Sequence, residues 1–506
     1  MKVDLRKTGL SVVLKKNIAR TTLDGAAYVS TRFVTGSNAV VDLTPYIGER
    51  NGVRVRKSVR EPAGSFSITM TDQLYYPGTT LTAQGKESFG DSLYGLIEPM
   101  DSIEIRMTGN AYKTAQGTPY PMMMRGFVSR VEISEAMGAD GKPQRNIIVS
   151  GQDYGKILQM IQIFHQPGVP YSDAAYITAF PFYAQFGVGG KIEPAQDFMN
   201  GIFDKVVDPY ILAINPGSTL TKLQRDFQVS AGQVSPFGTG GWQGGTIQAL
   251  IQSVGDIGPW NEFFIEDRDD APYVVYRPNP FMGVNLKSLF AFKEGKFPGD
   301  NPVQIGREDI VSISAARTDA NVANYFWVEA PRFNLNYDAT LRSVAVMAAA
   351  AGLEDTLYLR GYPNVDPALY GQRKMWEQTN QGGDAEQNPG NATPAGTLRS
   401  ESQASYQDWI TQRRIDMITQ NKDNIVFESG SIRMKGNEAV RAGTYLAHQP
   451  GNVVNYYYAT SVEHDYAPFG SYFTSVEYER GTGFIGRTQQ DAGAQSPYLA
   501  EMVDRS

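Results

Sequence analysis

The 506-residue chain has no cysteine, which excludes disulfides, thiolate metal ligands and a cysteine nucleophile. The absence fits assembly in a reducing cytoplasm. No run of about eighteen apolar residues occurs, so the sequence predicts no helix that crosses a membrane and no stable membrane insertion. Residues 1–6 carry charges at both ends and no apolar centre, which is not typical of a secretory signal.

Positive charge is also limited. The chain has 46 Lys and Arg against 53 Asp and Glu, a formal net charge of −7. A protein that wraps nucleic acid needs a basic face that displaces counterions from the phosphates. The balance therefore disfavours capture of nucleic acid, whereas it is compatible with a duct through which DNA only passes.

Histidine is scarce, with only His165, His448 and His464. None has a neighbour at metal-ligand spacing, and neither an HExxH motif nor a GxSxG elbow nor a P-loop lysine is present. His464 is expected at the surface or at an interface. We predict no metal ligand, no cofactor, no catalytic residue and no enzymatic activity.

The densest acidic cluster is the one candidate for catalysis that the sequence offers. It contains Glu262, Glu266, Asp267, Asp269 and Asp270. Acidic residues at a hairpin tip ordinarily serve as solvated turn residues, which is the favoured interpretation. A cation site and an acid/base pair of the glycosidase type stay open as alternatives, because the latter requires only two suitably spaced carboxylates.

The residues that are abundant indicate β-structure. The chain has 51 Gly and 28 Pro, which predict many turns, and 28 Tyr and 24 Phe, which favour strands. Its length exceeds that of one ordinary domain. The expected fold class is therefore β-rich α+β with several domains.

One phrase occurs twice. Ile-Arg-Met-Thr-Gly at 105–109 is repeated as Ile-Arg-Met-Lys-Gly at 432–436, and each copy leads to a strand that ends in Val-Glu, at 127–132 and at 458–463. A turn and one further strand then follow each time. The shared order predicts an internal duplication with two similar β-modules, so that three chains would present six modules around an axis.

The period of the apolar residues changes after Gly151. Phe198, Ile202, Val206 and Tyr210 lie at helical spacing, as do the apolar residues of 153–164 and 247–254. The sequence therefore predicts a mostly helical insertion between the two β-modules.

The second module resembles a known family. Residues 430–436, 441–445, 457–464 and 470–481 resemble the baseplate hub proteins of contractile-tailed bacteriophages, the late-control or tail-hub group. Residues 150–158 are similar to the strand-to-helix junction that ends the first barrel in that group. The resemblance covers about half of the chain in patches.

The resemblance implies a structural virion protein in the tail baseplate, assembled in the host cytoplasm. It implies a homotrimer whose two tube-type β-barrel modules per chain form a pseudo-sixfold ring around a channel for DNA. Such a ring joins a hexameric tail tube to a trimeric central spike and contacts surrounding baseplate proteins. An acidic channel wall is expected from the net charge.

The predicted organisation follows from these patterns. The first half comprises an N-terminal arm or added edge strand at 1–25, a first tube-like β-barrel module at 26–155 and a helical insertion at 156–260. The second half comprises a mixed α/β region at 261–400 with a long exposed loop at 379–400, a helix and second tube-like β-barrel module at 401–482, and a C-terminal tail at 483–506. The tail is expected to pack against a spike or a neighbouring subunit. Candidate contacts between subunits or between barrels are Ile105, Met107, Phe127, Val131, Ile432, Met434, Tyr457, Val462 and Tyr472.

Other functions stay open on the sequence. One is a tail-associated hydrolase of cell wall or polysaccharide that uses Glu266 and Asp267. Another is a receptor-binding tail protein that uses the Gly- and Trp-rich segment 237–245. A third is the hub of a non-viral contractile injection device.

Overall fold

The structure is a computed structural model. It describes residues 7–16, 20–21, 27–28, 40–48, 52–75, 91–115, 117–137, 141, 143–164, 193–214, 222–229, 231–234, 244–329, 359, 361–382, 397–468 and 470–488. The Gly- and Trp-rich segment at 237–243 and the tail from 489 lie outside the described residues.

The described chain is rich in strands. These are β1 Gly9–Lys15, β2 Arg20–Thr21, β3 Ala27–Tyr28, β4 Val40–Asp42, β5 Val53–Ser58, β6 Ser65–Thr71, β7 Leu74–Tyr75, β8 Asp91–Ser92, β9 Ser102–Thr108, β10 Met122–Met137, β11 Pro143–Asp153, β12 Gln162–Phe164, β13 Glu193–Pro194, β14 Gln224–Phe227, β15 Gln233–Val234, β16 Gly244–Thr246, β17 Asn261–Asp267, β18 Pro272–Pro278, β19 Val303–Ile305, β20 Ile310–Ala316, β21 Tyr325–Glu329, β22 Lys374–Gln378, β23 Glu428–Lys435, β24 Tyr445–His448, β25 Asn455–Tyr466 and β26 Tyr472–Gly481.

Helices are fewer and mostly short. They are α1 Leu93–Leu96, α2 Gly155–Met160, α3 Ala195–Ile202, α4 Asp208–Ile214, α5 Ile247–Val254, α6 Pro367–Tyr370, α7 Thr397–Asn421 and α8 Ile485–Thr488, with a π-helical segment Phe203–Val207 between α3 and α4 and 3-10 turns at Thr44–Tyr46, Ala111–Lys113, Pro298–Asp300, Arg307–Asp309, Pro363–Val365 and Asn424–Val426.

A large, mainly antiparallel sheet dominates the fold. Its strands run in the order β20-β23-β26-β25-β5-β6-β11-β10-β9-β1-β4, with β24 beside β25 and β19 beside β24. The β-rich fold class is therefore confirmed. The tube-like barrels and the helical character of the whole insertion stay predictions.

The sheet contains the same arrangement of five strands twice. In the first set, β5 pairs β6, β6 pairs β11, β11 pairs β10 and β10 pairs β9. In the second set, β20 pairs β23, β23 pairs β26, β26 pairs β25 and β25 pairs β24. The corresponding strands also follow one another in the same order along the chain.

A β-bulge marks the same position in both sets. The register of β10 against β11 shifts between Val128 and Arg130, and that of β25 against β26 shifts between Ala459 and Ser461. The skipped residues, Ser129 and Thr460, are the third residues of the two strand motifs at 127–132 and 458–463. Because bulges fix local twist and register, their coincidence supports a duplicated unit.

The register of the strands corrects the predicted equivalence between the two copies of the repeated phrase, at 105–109 and 432–436. Ile432 lies opposite Val476, and the residue in the same position of the first set is Ile68 of β6, opposite Val149. The first copy of the phrase, at 105–109, begins in β9, which corresponds to β24 instead. An Ile-x-Met alternation places two apolar side chains on one buried face, a requirement that β6, β9 and β23 share.

Separate cores lie under the two sets. Ile68, Ile105 and Met107 belong to the core of the first set, whereas Ile432 and Met434 belong to that of the second. A third core packs α2–α5 against the hairpin of β17 and β18. Each set thus buries one face of its strands in a core of its own, although Tyr466 and Tyr472 of the second set pack into the core of the first.

Three local predictions can be compared with the structure. Of the two alternatives for residues 1–25, an arm or an added edge strand, residues 9–15 form a strand, β1, which lies between β9 and β4. The helix expected over 153–164 ends at Met160, and β12 follows. Most of the long loop predicted at 379–400, residues 383–396, lies outside the described residues; at its two ends, Thr379 is fully buried against Asp256, and helix α7 begins at Thr397.

Matched truncations test the equivalence of β6 and β23. Ile68→Ala and Ile432→Ala should each lower the free energy of unfolding by about 2–5 kcal/mol, because both side chains are 0% exposed. Val311→Ala, on strand β20 and 57% exposed, should cost less than about 1 kcal/mol. Urea denaturation followed by circular dichroism measures all three, and a mild effect at only one of the two buried sites would contradict the equivalence.

Candidate functional site at the joint between the two sets

The two sets are joined by hydrogen bonding between β25 and β5. These strands pair antiparallel from Ser461 opposite Ser58 to Tyr466 opposite Val53. This pairing of β25, from the second set, with β5, from the first set, makes the two sets one continuous sheet. We call this pairing of β25 with β5 the joint.

Its inner face is apolar and closed. Val53 and Val55 of β5 are 0% and 1% exposed, and Val462 of β25 is 1% exposed. Its outer face carries opposite charges: Nε of Arg54 lies 3.3 Å from a carboxylate oxygen of Glu463. Exposed ion pairs of this kind contribute little stability, so the inner face provides most of it.

A buried ammonium holds the inner end of the joint. Nζ of Lys57, opposite Val462, lies 2.6 Å from carboxylate oxygens of both Asp153 and Asp267. Asp153 also accepts hydrogen bonds from the backbone N–H groups of Gly64 and Gly155. Burial lowers the pKa of Lys57, but the two carboxylates outweigh it and the net pKa is raised.

His464 occupies the centre of the joint. Its ring is 3% exposed, so the expectation of a surface position is wrong. Nε2 lies 3.1 Å from the carbonyl oxygen of Val440, and Nδ1 lies 2.9 Å from the hydroxyl of Tyr472. These partners suit a neutral imidazole that donates from Nε2 and accepts at Nδ1. Burial lowers its pKa from 6.5 to about 3.

Further contacts cross between the two sets. Tyr472 of β26 inserts into the core of the first set. The carboxylate of Glu438 accepts hydrogen bonds from the hydroxyl of Thr108 and the backbone N–H of Gly109, at 2.9 and 2.8 Å. A Cβ atom at Gly109 would collide with the carbonyl oxygen of Gly436. The glycines that end the two copies of the repeated phrase therefore meet each other.

The acidic hairpin of β17 and β18 supports the second set from beneath. Glu262 is buried, and its carboxylate lies 2.5 Å from both Nε of Arg277 and the hydroxyl of Tyr458. Arg277 also donates to the carbonyl oxygen of Gly443. Burial would lower the pKa of Arg277, but Glu262 raises it further above its usual range.

The tip of the same hairpin contacts the first set. Asp269 accepts from the backbone N–H of Met122 at 2.7 Å, and Arg125 donates to the carbonyl oxygens of Arg268 and Asp269. The guanidinium of Arg268 lies 2.7 Å from Glu266. Of the five acidic residues, only the exposed Asp270 matches a solvated turn, and its carboxylate accepts a hydrogen bond from the Tyr273 hydroxyl. The cluster serves mainly as a structural brace.

Eight of the nine predicted contact residues lie in cores of this chain, and the ninth is partly buried. Ile105, Met107 and Tyr472 belong to the core of the first set, with Val131 packed at its edge; Phe127 belongs to the core of the helices; Ile432, Met434, Tyr457 and Val462 belong to the core of the second set. Tyr472 bridges the two sets. The role of all nine between subunits stays a prediction.

Two observations concern other kinds of site. Within the described ranges, no group of three or more histidine, aspartate or glutamate side chains is arranged to hold a metal ion. None of the helices described has the length and apolar character needed to span a membrane.

Removal of the buried ammonium tests the importance of the joint. Lys57→Met should lower the free energy of unfolding by about 3–5 kcal/mol, because it leaves two buried carboxylates without their cation. Lys435→Met is the matched control, since the Lys435 side chain is half exposed and its Nζ lies 3.4 Å from Asp309. The control should cost about 1 kcal/mol or less in urea denaturation. Equal costs would show that the buried triad contributes no more than a surface pair.

The depressed pKa of His464 predicts a pH dependence. In the unfolded chain the imidazole binds a proton below about pH 6.5, whereas in the folded chain it stays neutral down to about pH 3. The contribution of His464 to the free energy of unfolding is therefore fully present above pH 6.5 and decreases as the pH is lowered. The loss should approach about 1.4 kcal/mol per pH unit from this group between about pH 6 and 4. His464→Gln should reduce that slope in denaturation measured at each pH. An unchanged slope would refute the assignment.

Comparison with known proteins gives structural neighbours, of which three are described here. No protein-family model and no curated protein matches the chain. The chain is similar to a tail protein from Neisseria meningitidis MC58, with TM-score 0.43 and 11% identity over 94% of this chain and 98% of that one. It is similar to the 43 kDa tail protein of prophage MuSo2 from Shewanella oneidensis, with TM-score 0.41 and 11% identity over 93% and 96%. The third is an E. coli component of the type VI secretion system, described as structurally similar to the T4 tail proteins gp27 and gp5, with TM-score 0.34 and 8% identity over 85% and 72%.

Proposed function

We propose that this chain is a structural virion protein, the central baseplate hub of a contractile phage tail. In this proposal it forms a homotrimer of pseudo-sixfold symmetry that joins a hexameric tail tube to a trimeric spike. The proposed family comes from the sequence resemblance at residues 430–481. The two similar strand sets are the structural observation that supports the pseudo-sixfold arrangement.

One observation carries the proposal: a single chain holds two five-strand sets in the same register, joined edge to edge. The bulges at Ser129 and Thr460 and the opposed pairs Ile68–Val149 and Ile432–Val476 coincide. Three such chains present six equivalent sets, so one face of a ring can match a sixfold partner. The segments that differ between the sets leave the other face threefold.

The proposed partners follow from that geometry. The tail tube protein would bind the sixfold face, the spike protein the threefold face, and surrounding baseplate proteins the rim. DNA would pass through the central channel without stable binding. The net charge of −7 suits such passage, because an acidic wall repels phosphates.

The carboxylates proposed for a hydrolase are engaged in other contacts. Asp267 is 2% exposed and pairs with Lys57, and Glu266 pairs with Arg268. A glycosidase pair instead needs one carboxyl group free to protonate a leaving group and another to act at the sugar. These contacts favour a structural function over that alternative.

The mass in solution tests the proposal. Light scattering of the purified chain, alone and mixed with a candidate tail tube protein, should give three times the 55.7 kDa of one chain, with the tube protein adding mass in multiples of six copies. A chain that stays monomeric in both conditions would contradict the proposal. Glycan release by the parent protein, abolished in Glu266→Gln and Asp267→Asn, would instead establish the hydrolase.

A further inference from the structure

Among the strand edges of the large sheet that are open in one chain, two have counterparts in the joint. β10 pairs β9 only over Met122–Phe127, so residues 130–135 have no strand on that side among the residues described. β20, which ends the sheet, pairs only β23 in the described part of the chain. Unpaired edges with apolar side chains are ordinarily covered in native proteins, because they recruit other strands.

Both open edges have paired counterparts in the joint. By the shared register, residues 130–135 of β10 correspond to Ser461–Tyr466 of β25. Residues 313–316 of β20 correspond to Val53–Arg56 of β5, since Ile313 lies opposite Ile432 as Val53 lies opposite Ile68. The joint therefore shows how these two types of edge fit together.

We propose that the outer half of β10 pairs antiparallel with β20 of a second copy of this chain, in the register of the joint. This proposal rests on the proposed trimer and specifies its interface. Copying the joint gives the opposed pairs Val131–Arg317, Glu132–Ala316, Ile133–Ala315, Ser134–Ser314 and Glu135–Ile313.

The burial of the two edges supports this pairing. Val53 and Val55 are at most 1% exposed in the joint, but their counterparts Ile313 and Ala315 are exposed, Ile313 by 40%. On the facing edge, Val462 is 1% exposed, whereas its counterpart Val131 is only partly buried. The proposed register brings these apolar side chains to one face, where they would close as they do in the joint.

The edges also favour a closed ring. The two edges differ, so each copy offers one edge of each kind and the contact runs head to tail. The joint inside each chain and the contact between chains would alternate around the ring. A second copy is therefore the occupant that the internal repeat specifies, rather than an unrelated protein.

Cysteine cross-linking tests the register directly, because the chain has no cysteine of its own. Glu132→Cys combined with Ala316→Cys places two thiols directly opposite each other on one face of the proposed pair. Oxidation should give covalent dimers and trimers on a non-reducing gel. Glu132→Cys combined with Arg317→Cys is the matched control, since neighbouring residues on a strand point to opposite faces. The control should give at least about tenfold less cross-linked product.

A charge exchange gives a second, independent test. Ile313→Glu places a carboxylate opposite Glu135 of the neighbouring chain and should weaken trimer association about tenfold or more. Glu135→Lys in the same chain should restore association. Val311→Glu is the control, because Val311 is exposed on the same strand but lies outside the proposed pairs. Circular dichroism should show unchanged folding in every variant.

The outcomes separate this inference from the proposed function. Trimers that cross-link at the matched cysteines, and that respond to the charge exchange, support both. Trimers by light scattering without matched cross-links overturn the interface and leave the hub intact. A monomer under all conditions overturns both. Capture of these edges by the tube protein in place of a second copy would also overturn the interface.

Discussion

The structure depends on main-chain pairing between β25 and β5, which makes one sheet of two separate strand sets. Each set buries its own face, so the joint is the only place where backbone hydrogen bonds bind the sets to each other among the residues described. Six residues of β25 face six of β5, and the side chains on the inner face are almost completely buried. A slip by one residue would turn Val53 and Val55 to the solvent and Arg54 to the core.

Buried polar groups reinforce that register. Lys57 projects from the joint to the ends of β11 and β17, and His464 reaches Val440 and Tyr472. Buried ion pairs are poor sources of stability, because desolvation offsets most of the attraction. Their value here lies in specificity: a slipped register would leave the Lys57 ammonium or the carboxylates of Asp153 and Asp267 without partners.

The sequence predicted local structure better than it predicted contacts. The helical period of the apolar residues at 247–254 identified α5. The duplication was visible in the strand motifs at 127–132 and 458–463. Its first strand was misassigned because Ile-x-Met suits any strand with one buried face, and only the partner strand distinguishes β6 from β9. Lys57, Glu438 and Arg277 gave no local signal, since their partners are distant along the chain.

The two sets differ in the connection between their first two strands, and this difference determines which features of the proposed trimer are threefold and which are sixfold. A short connection of residues 59–64 joins β5 to β6, whereas residues 317–427, including β21, β22, α6 and α7, lie between the corresponding strands β20 and β23. The strand sets can present a repeated sheet six times in the proposed trimer, but this long connection recurs only three times. A protein that joins sixfold and threefold partners needs both properties. Placing the asymmetry in the connection leaves the pairing at the centre of each set undisturbed, because the bulges at Ser129 and Thr460 and the opposed pairs Ile68–Val149 and Ile432–Val476 still coincide.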